Sequence, residues 1–328
     1  MKKCYTAFIA MIIIIASLSG CSETPVETTQ DDTQPTVVTS FYPIAYLAQE
    51  IAGDTVEVVN LIPSGAEPHS YEPTVRQMAL IEDADLFIFQ GAGLEPWVEA
   101  QEESLETQGV QLLEVASHLT LLENEEHEEE HHDEHEGEDE HHDEDEDDHH
   151  DHGEFDPHTW LDPMLAMETI DLIEKALADV TPSQSNTFAA NADTLRAQFS
   201  ELDKEFKTAL NNCELRTFIT SHDAFGYLAN RYDLEVVSVT GVSPHDAPSA
   251  VQIAELVEHA QEENIQHIFF EVLANSKTAE TLASEAGLDV LVLNPIAGLS
   301  DDTQNETYVT LMAANLNNLQ TGLRCNTQ

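Results

Sequence analysis

Two kinds of pattern alternate along the chain. Short β-branched or aromatic runs are followed by stretches whose apolar residues recur every three to four positions. Val37 to Tyr42, Thr55 to Pro63 and Asp85 to Gln90 are runs of the first kind, each closed or followed by Pro or Gly. Ile44 to Ala52 and Thr74 to Glu82 are of the second. The alternation returns after Cys213. Leu215 to Thr220, Leu234 to Thr240, His267 to Val272 and Val290 to Leu293 read as strands, and Ala224 to Tyr232, Ser249 to Asn264, Ser276 to Ala286 and Glu306 to Leu319 as helices. Buried strands alternating with helices predict parallel sheets. The expected fold is therefore α/β, with two Rossmann-like lobes, each a mainly parallel sheet flanked by helices.

Helical sequence lies between the lobes. Asp162-Pro163 reads as an N-cap followed by Pro at the first helical position, opening a helix to about Val180. Thr181-Pro182 repeats the signal. Leu195, Phe199, Leu202, Phe206 and Leu210 then keep one apolar stripe to the end of that segment. A helix of that span is about 42 Å long at 1.5 Å per residue, enough to join the lobes as one rigid rod. The expected organisation is a leader at 1–20, a disordered tether at 21–35, a first lobe at 36–180, the linking helix at 181–212 and a second lobe at 213–328.

The leader has Lys2 and Lys3, an apolar run from about Ala7 to Ala16, and the ending Leu18-Ser19-Gly20-Cys21. That is the layout of a secretory signal, and its ending resembles a bacterial lipobox, which implies a lipid on Cys21. The protein is then expected outside the cytoplasm, periplasmic or at the cell surface, anchored to a membrane by lipid. In that oxidising setting Cys213 and Cys325 are the two remaining thiols, and one disulfide between them is expected.

Charge narrows the function. Lys and Arg number 11 against 64 Asp and Glu, a net −53. Such a polyanion repels phosphate backbones, so nucleic acid is excluded as a partner. Part of this charge sits in Glu123 to Glu154, which holds nine histidines and 20 acidic residues, with only Asn124, Gly137 and Gly153 besides. With no apolar residue it cannot join a core and is expected to be a disordered insertion in the first lobe.

Three further histidines stand where a parallel α/β sheet builds its sites. His69 lies in a loop after a strand, between Pro68 and Pro73. His158 lies between Pro157 and Pro163, just before a helix. His222 lies where a strand turns into a helix. Ligands bind beyond the carboxyl ends of such strands, and flanking prolines restrict the direction of a ring. Three neutral imidazoles suit Zn²⁺.

The segments resemble the metal-binding solute-binding proteins of ABC importers, the cluster A-I family. The likeness runs from about Val37 to Leu319, outside the acidic insertion. It is carried by Thr39-Ser40-Phe41-Tyr42-Pro43, Glu67-Pro68-His69-Ser70-Tyr71-Glu72-Pro73, Asp156-Pro157-His158-Thr159-Trp160-Leu161-Asp162-Pro163 and Ser221-His222-Asp223-Ala224-Phe225-Gly226-Tyr227. Asn294-Pro295-Ile296-Ala297-Gly298-Leu299, with Tyr308 and Asn315, also fits. The resemblance implies metal ligands at His69, His158 and His222, in a cleft between two lobes. It implies capture of Zn²⁺ as a transported ligand, without catalysis, by a monomer that hands the ion to a membrane permease and its ATPase. Manganese and iron members carry a carboxylate where this chain has His222. Some zinc members have a Glu ligand where this chain has Ala297, so the fourth ligand is expected to be water, with Glu67, Glu271, Asp246 and Asp301 as the other candidates. Manganese or iron binding on the same fold, and a zinc hydrolase or lyase, are the alternatives. Because imidazole must be unprotonated to ligate, affinity is expected to fall as pH drops through the histidine range near 6.5.

Overall fold

A computed structural model describes residues 34–124, 154–241, 249–271 and 283–326. The leader with Cys21, most of the tether, residues 125–153 of the acidic insertion, Asp246 and the first part of the helix expected at Ser276 to Ala286 lie outside the described residues.

The first sheet is parallel, in the order β2-β1-β3-β4, from β1 Thr36–Thr39, β2 Glu57–Asn60, β3 Leu86–Phe89 and β4 Gln111–Glu114. The second repeats this with β5 Thr217–Thr220, β6 Glu235–Ser238, β7 His267–Phe270 and β8 Asp289–Val292, in the order β6-β5-β7-β8. Side chains of a strand alternate between faces. In β3, Leu86 and Ile88 enter one core while Phe87 and Phe89 enter another. In β5 and β7, Phe218 and Phe269 face the first core while Ile219, Ile268 and Phe270 face a third. Both faces of each sheet are covered, which is why the central strands read as unbroken apolar runs.

The first of these cores is shared by both sheets, and helices fill the space between them. Alpha helices α1 (Tyr42–Ala52), α5 (Pro163–Val180), α6 (Ser185–Leu210) and the C-terminal helix contribute to it. Outer faces are covered by α2 (Val75–Glu82) and α4 (Glu102–Gln108) on the first sheet and α8 (Ala250–Glu262) on the second. Between them in the chain lie α3 (Pro96–Glu99) and α7 (Gly226–Arg231), and α9 (Tyr308–Gly322) closes the fold.

The long helix α6 has 26 residues, about 39 Å. It buries Phe188, Ala192, Leu195, Phe199, Leu202, Phe206 and Leu210 along one stripe. It starts later than Thr181-Pro182 suggests. Those residues lead into a single 3₁₀ turn, Pro182–Gln184, and the Thr181 side chain makes no capping bond. Asp162 does cap α5, accepting from Met164 N at 2.8 Å. At the far end of α6, Cys213 and Cys325 form a disulfide that closes the second half on itself.

Candidate metal centre

In each half the chain leaves the first strand to one side and later returns to the other, so β1 and β5 stand at the points where the winding reverses. The crevice beyond the carboxyl ends of such strands is open to a ligand. His222 follows β5 by two residues, and its segment is fixed by Ser221 N donating to Phe269 O at 3.1 Å and Thr220 Oγ1 donating to His222 O at 3.0 Å. His69 lies in the loop after β2, on a 3₁₀ turn at Pro68–Ser70 that is capped by Glu67, whose carboxylate accepts from His69 N at 3.4 Å. Gln77 of α2 holds both ends of that loop, donating to Leu61 O at 2.8 Å and bonding Tyr71 Oη at 2.5 Å. His158 precedes the 3₁₀ turn Thr159–Leu161 that leads into α5.

Residues 89 and 64 positions apart in sequence thus meet. One ligating nitrogen from each of His69, His158 and His222 lies within 4.8 Å of the others. Nε2 of His69 is 3.2 Å from Nε2 of His158, and the ring centroids are 5.1, 5.4 and 6.2 Å apart. Among the described residues this is the cluster of His, Cys, Asp and Glu fit to hold a metal ion. His158 and His222 are buried and His69 is half-buried, so the site opens on the His69 side.

Two carboxylates stand behind the rings. Asp156 Oδ1 accepts from His158 Nδ1 at 2.7 Å and from His158 N at 2.9 Å. Glu271 Oε1 accepts from His222 Nδ1 and from Ser221 Oγ, the latter at 2.7 Å. Each bond puts the proton on Nδ1 and leaves the Nε2 lone pair for the shared centre. Trp160 closes the wall behind His158, its ring 5.1 Å from the imidazole, with its Nε1 donating to Pro295 O at 2.7 Å.

Burial sets the electrostatics. It pushes His158 well below the usual imidazole value, helped by the nearby His222. It pushes Asp156 up to about 7 against the pull of the His158 backbone bond and of His222. For His222 burial is the largest influence and lowers the value, but the charge and hydrogen bond of Glu271 outweigh it and raise the value overall.

Of the residues considered for a fourth position, Glu271 is committed to His222 Nδ1, and Asp301 is exposed and bonded by Gln304 Nε2 at 3.2 Å. Glu67 caps the His69 turn and its charge reaches His222, so it stands beside the centre. Ala297 is buried and has no donor atom. The sequence reading did not assign the roles of Asp156 and Glu271 behind the rings. Asp156 lies in the same motif as His158, two residues before it, and that spacing is the one local signal. The Glu271 contact depends on β5 pairing with β7 and has no local signal.

The base of the acidic insertion closes beside this site. Glu123 and Phe155 form an antiparallel bridge, Asn124 N donates to Glu154 O at 2.9 Å, and Asp156 N donates to Leu122 O at 3.0 Å.

Comparison with known proteins identifies the family of this fold. The family model described as zinc-uptake complex component A, periplasmic, matches residues 37–322. The high-affinity zinc uptake system protein ZnuA of Bacillus subtilis is 37% identical over 317 residues, covering 96% of each chain. The zinc-binding lipoprotein AdcA of Streptococcus pneumoniae is 37% identical over 293 residues, which cover 89% of this chain but 56% of that protein. The chain thus spans little more than half of AdcA. The crystal structure of the Zn(II)-bound ZnuA-like domain of that AdcA superposes with a TM-score of 0.73 at 32% identity, covering 89% of this chain and 99% of that domain. With the profile match spanning both sheets and the histidine cluster between them, the chain belongs to the zinc-uptake complex component A family.

Proposed function

We propose that this protein is the extracytoplasmic binding component of a zinc importer. It captures Zn²⁺ with His69, His158 and His222 and delivers it to a membrane permease driven by an ATPase. It works as a lipid-anchored monomer tethered through Cys21. The observation that carries this reading is the convergence of three imidazole nitrogens within 4.8 Å, with two of the rings backed by buried carboxylates.

The donor set favours zinc over manganese or iron. Three nitrogens and no carboxylate in the inner set suit a borderline ion better than a hard one that prefers oxygen. The charge also matches: the imidazoles are neutral, and Asp156 and Glu271 together balance a 2+ ion in a buried place where an unbalanced charge is costly. Water takes the remaining tetrahedral position, reached from the His69 side. The two carboxylates nearest His158 and His222 serve as hydrogen-bond acceptors for the rings, which leaves them unsuited to act as a general base, so the arrangement supports capture rather than hydrolysis.

Two experiments test this. Zinc titration with a competing chelator is expected to show His69→Ala weakened by orders of magnitude, while its unfolding midpoint without metal stays near wild type because His69 sits on a half-buried loop. Wild-type affinity in that variant overturns the ligand assignment. A strain without this protein is expected to grow poorly in zinc-chelated medium and to recover with the wild-type gene but not with His158→Ala; normal growth without the protein overturns the uptake role.

A further inference from the structure

We infer that Gln90, a buried amide at the end of β3, is the positioning residue that fixes His158 relative to His69. This deepens the zinc-capture reading above and rests on it. Gln90 is 1% exposed. Its Nε2 donates to Pro157 O at 2.9 Å and to Thr159 Oγ1 at 2.9 Å, so its two amide protons grip the chain on either side of His158. A carbonyl oxygen can only accept, which fixes the orientation of the amide.

The base of this strut is rigid. Gln90 N donates to Glu95 Oε1 at 3.1 Å, Gly91 N donates to Glu95 Oε2 at 3.0 Å, and Gln90 O accepts from Ala116 N at 2.8 Å. Gly91 has φ +77°, a left-handed conformation that favours glycine, and a Cβ there would displace the Glu114 side chain. The Gln90 side chain therefore starts from a backbone held at every polar group.

The other ties on the His158 segment act differently. Asp156 belongs to the segment itself. Tyr227, on α7 of the second half, donates its hydroxyl to Asp156 O at 2.7 Å and links His158 to the His222 side. Gln90 links it to the first sheet, which also carries the His69 loop through β2. The 3.2 Å approach of the His69 and His158 Nε2 atoms is thus set through Gln90. An ion at zinc–nitrogen distances of about 2.0–2.1 Å responds to small errors in that spacing.

The test compares Gln90→Leu with wild type in zinc titrations and in the visible spectrum of the Co²⁺-loaded protein, whose band positions report ligand geometry. Gln90→Leu is expected to weaken zinc binding about 10- to 100-fold, the range found for outer partners of metal ligands, and to shift the Co²⁺ bands. Thr159→Val removes one of the two acceptors and is expected to give a smaller loss with a shift of the same sense; it carries the test if Gln90→Leu does not fold. Wild-type affinity and Co²⁺ spectrum in a folded Gln90→Leu overturn the inference. So does an affinity loss with an unshifted spectrum, which marks a general loss of stability. His158→Ala in the same titration separates the two levels: if it binds like wild type, the ligand assignment fails, whereas if it loses zinc while Gln90→Leu does not, only the role of Gln90 fails.

Discussion

Glu271→Gln isolates the charge behind His222. The amide keeps an oxygen that accepts from both Ser221 Oγ and His222 Nδ1, so the rings should stay in place and only the negative charge is lost. A zinc ion on Nε2 would sit roughly 6 Å from that carboxylate, adding a coordination bond, the ring and a hydrogen bond. Attraction between charges of 2+ and 1− at that distance is about 5.5 kcal/mol at an effective dielectric of 20 and about 1.4 kcal/mol at 80. His222 and Glu271 are buried while the half-buried His69 side admits solvent, so the attraction falls between these figures. Converting a charge-assisted hydrogen bond to a neutral one removes about 1 kcal/mol more. The expected loss is at least about 2 kcal/mol, a roughly 30-fold or greater fall in zinc affinity. Calorimetric titration against a chelator at fixed pH measures it, with the unfolding midpoint of the metal-free protein as control. Binding within twofold of wild type would refute the role given to Glu271. A loss as large as that of His222→Ala would also refute it, because Glu271 would then be acting as a ligand.

Three further outcomes concern the fold. Replacing Cys213 and Cys325 by Ser opens a loop of 112 residues' separation and is expected to cost 2–5 kcal/mol in urea unfolding; an unchanged midpoint means the bridge adds nothing. Phe206→Ala, from a fully buried ring stacked 5.0 Å from Tyr232, should destabilise by 3–5 kcal/mol, and a loss below 1 kcal/mol would contradict the packing of α6 between the sheets. Glu95 is buried and its carboxyl is pushed up to about 7 from 4.5, chiefly by burial. Between those values the folded state holds a proton that the unfolded chain has released, so this group's contribution to stability falls by about 3 kcal/mol as pH rises from 4.5 to 7. The stability difference between wild type and Glu95→Gln should therefore move toward the variant over that interval, and a difference that stays constant with pH would show that Glu95 is not the cause.

Much of this fold is legible locally because both faces of its central strands are covered. Leu86-Phe87-Ile88-Phe89 and Thr217-Phe218-Ile219-Thr220 are short, apolar and bounded by turns, and the seven-residue stripe of α6 has one period throughout. β4 is harder to read. Gln111-Leu112-Leu113-Glu114 is an edge strand with polar ends, and only its pairing with β3 makes it a strand. The α6 boundary depends on the φ and ψ of Thr181, which direct Pro182 into a 3₁₀ turn. The three histidines stand out because prolines and strand ends surround them. Of the groups behind them, only Asp156 carries a local signal, two residues before His158. Glu271 and Gln90 reach the site only through sheet pairing, since β7 lies beside β5 and β3 ends beneath the His158 segment. Sequence spacing carries no trace of such contacts.

The central claim is that one divalent ion sits among three imidazoles from separate parts of the chain. Diffraction from zinc-soaked crystals, recorded on both sides of the zinc absorption edge, tests it directly. A single strong anomalous peak is predicted, 2.0–2.1 Å from Nε2 of His69, His158 and His222. A peak elsewhere with these rings unliganded, or a peak held by fewer than three of them, would contradict it.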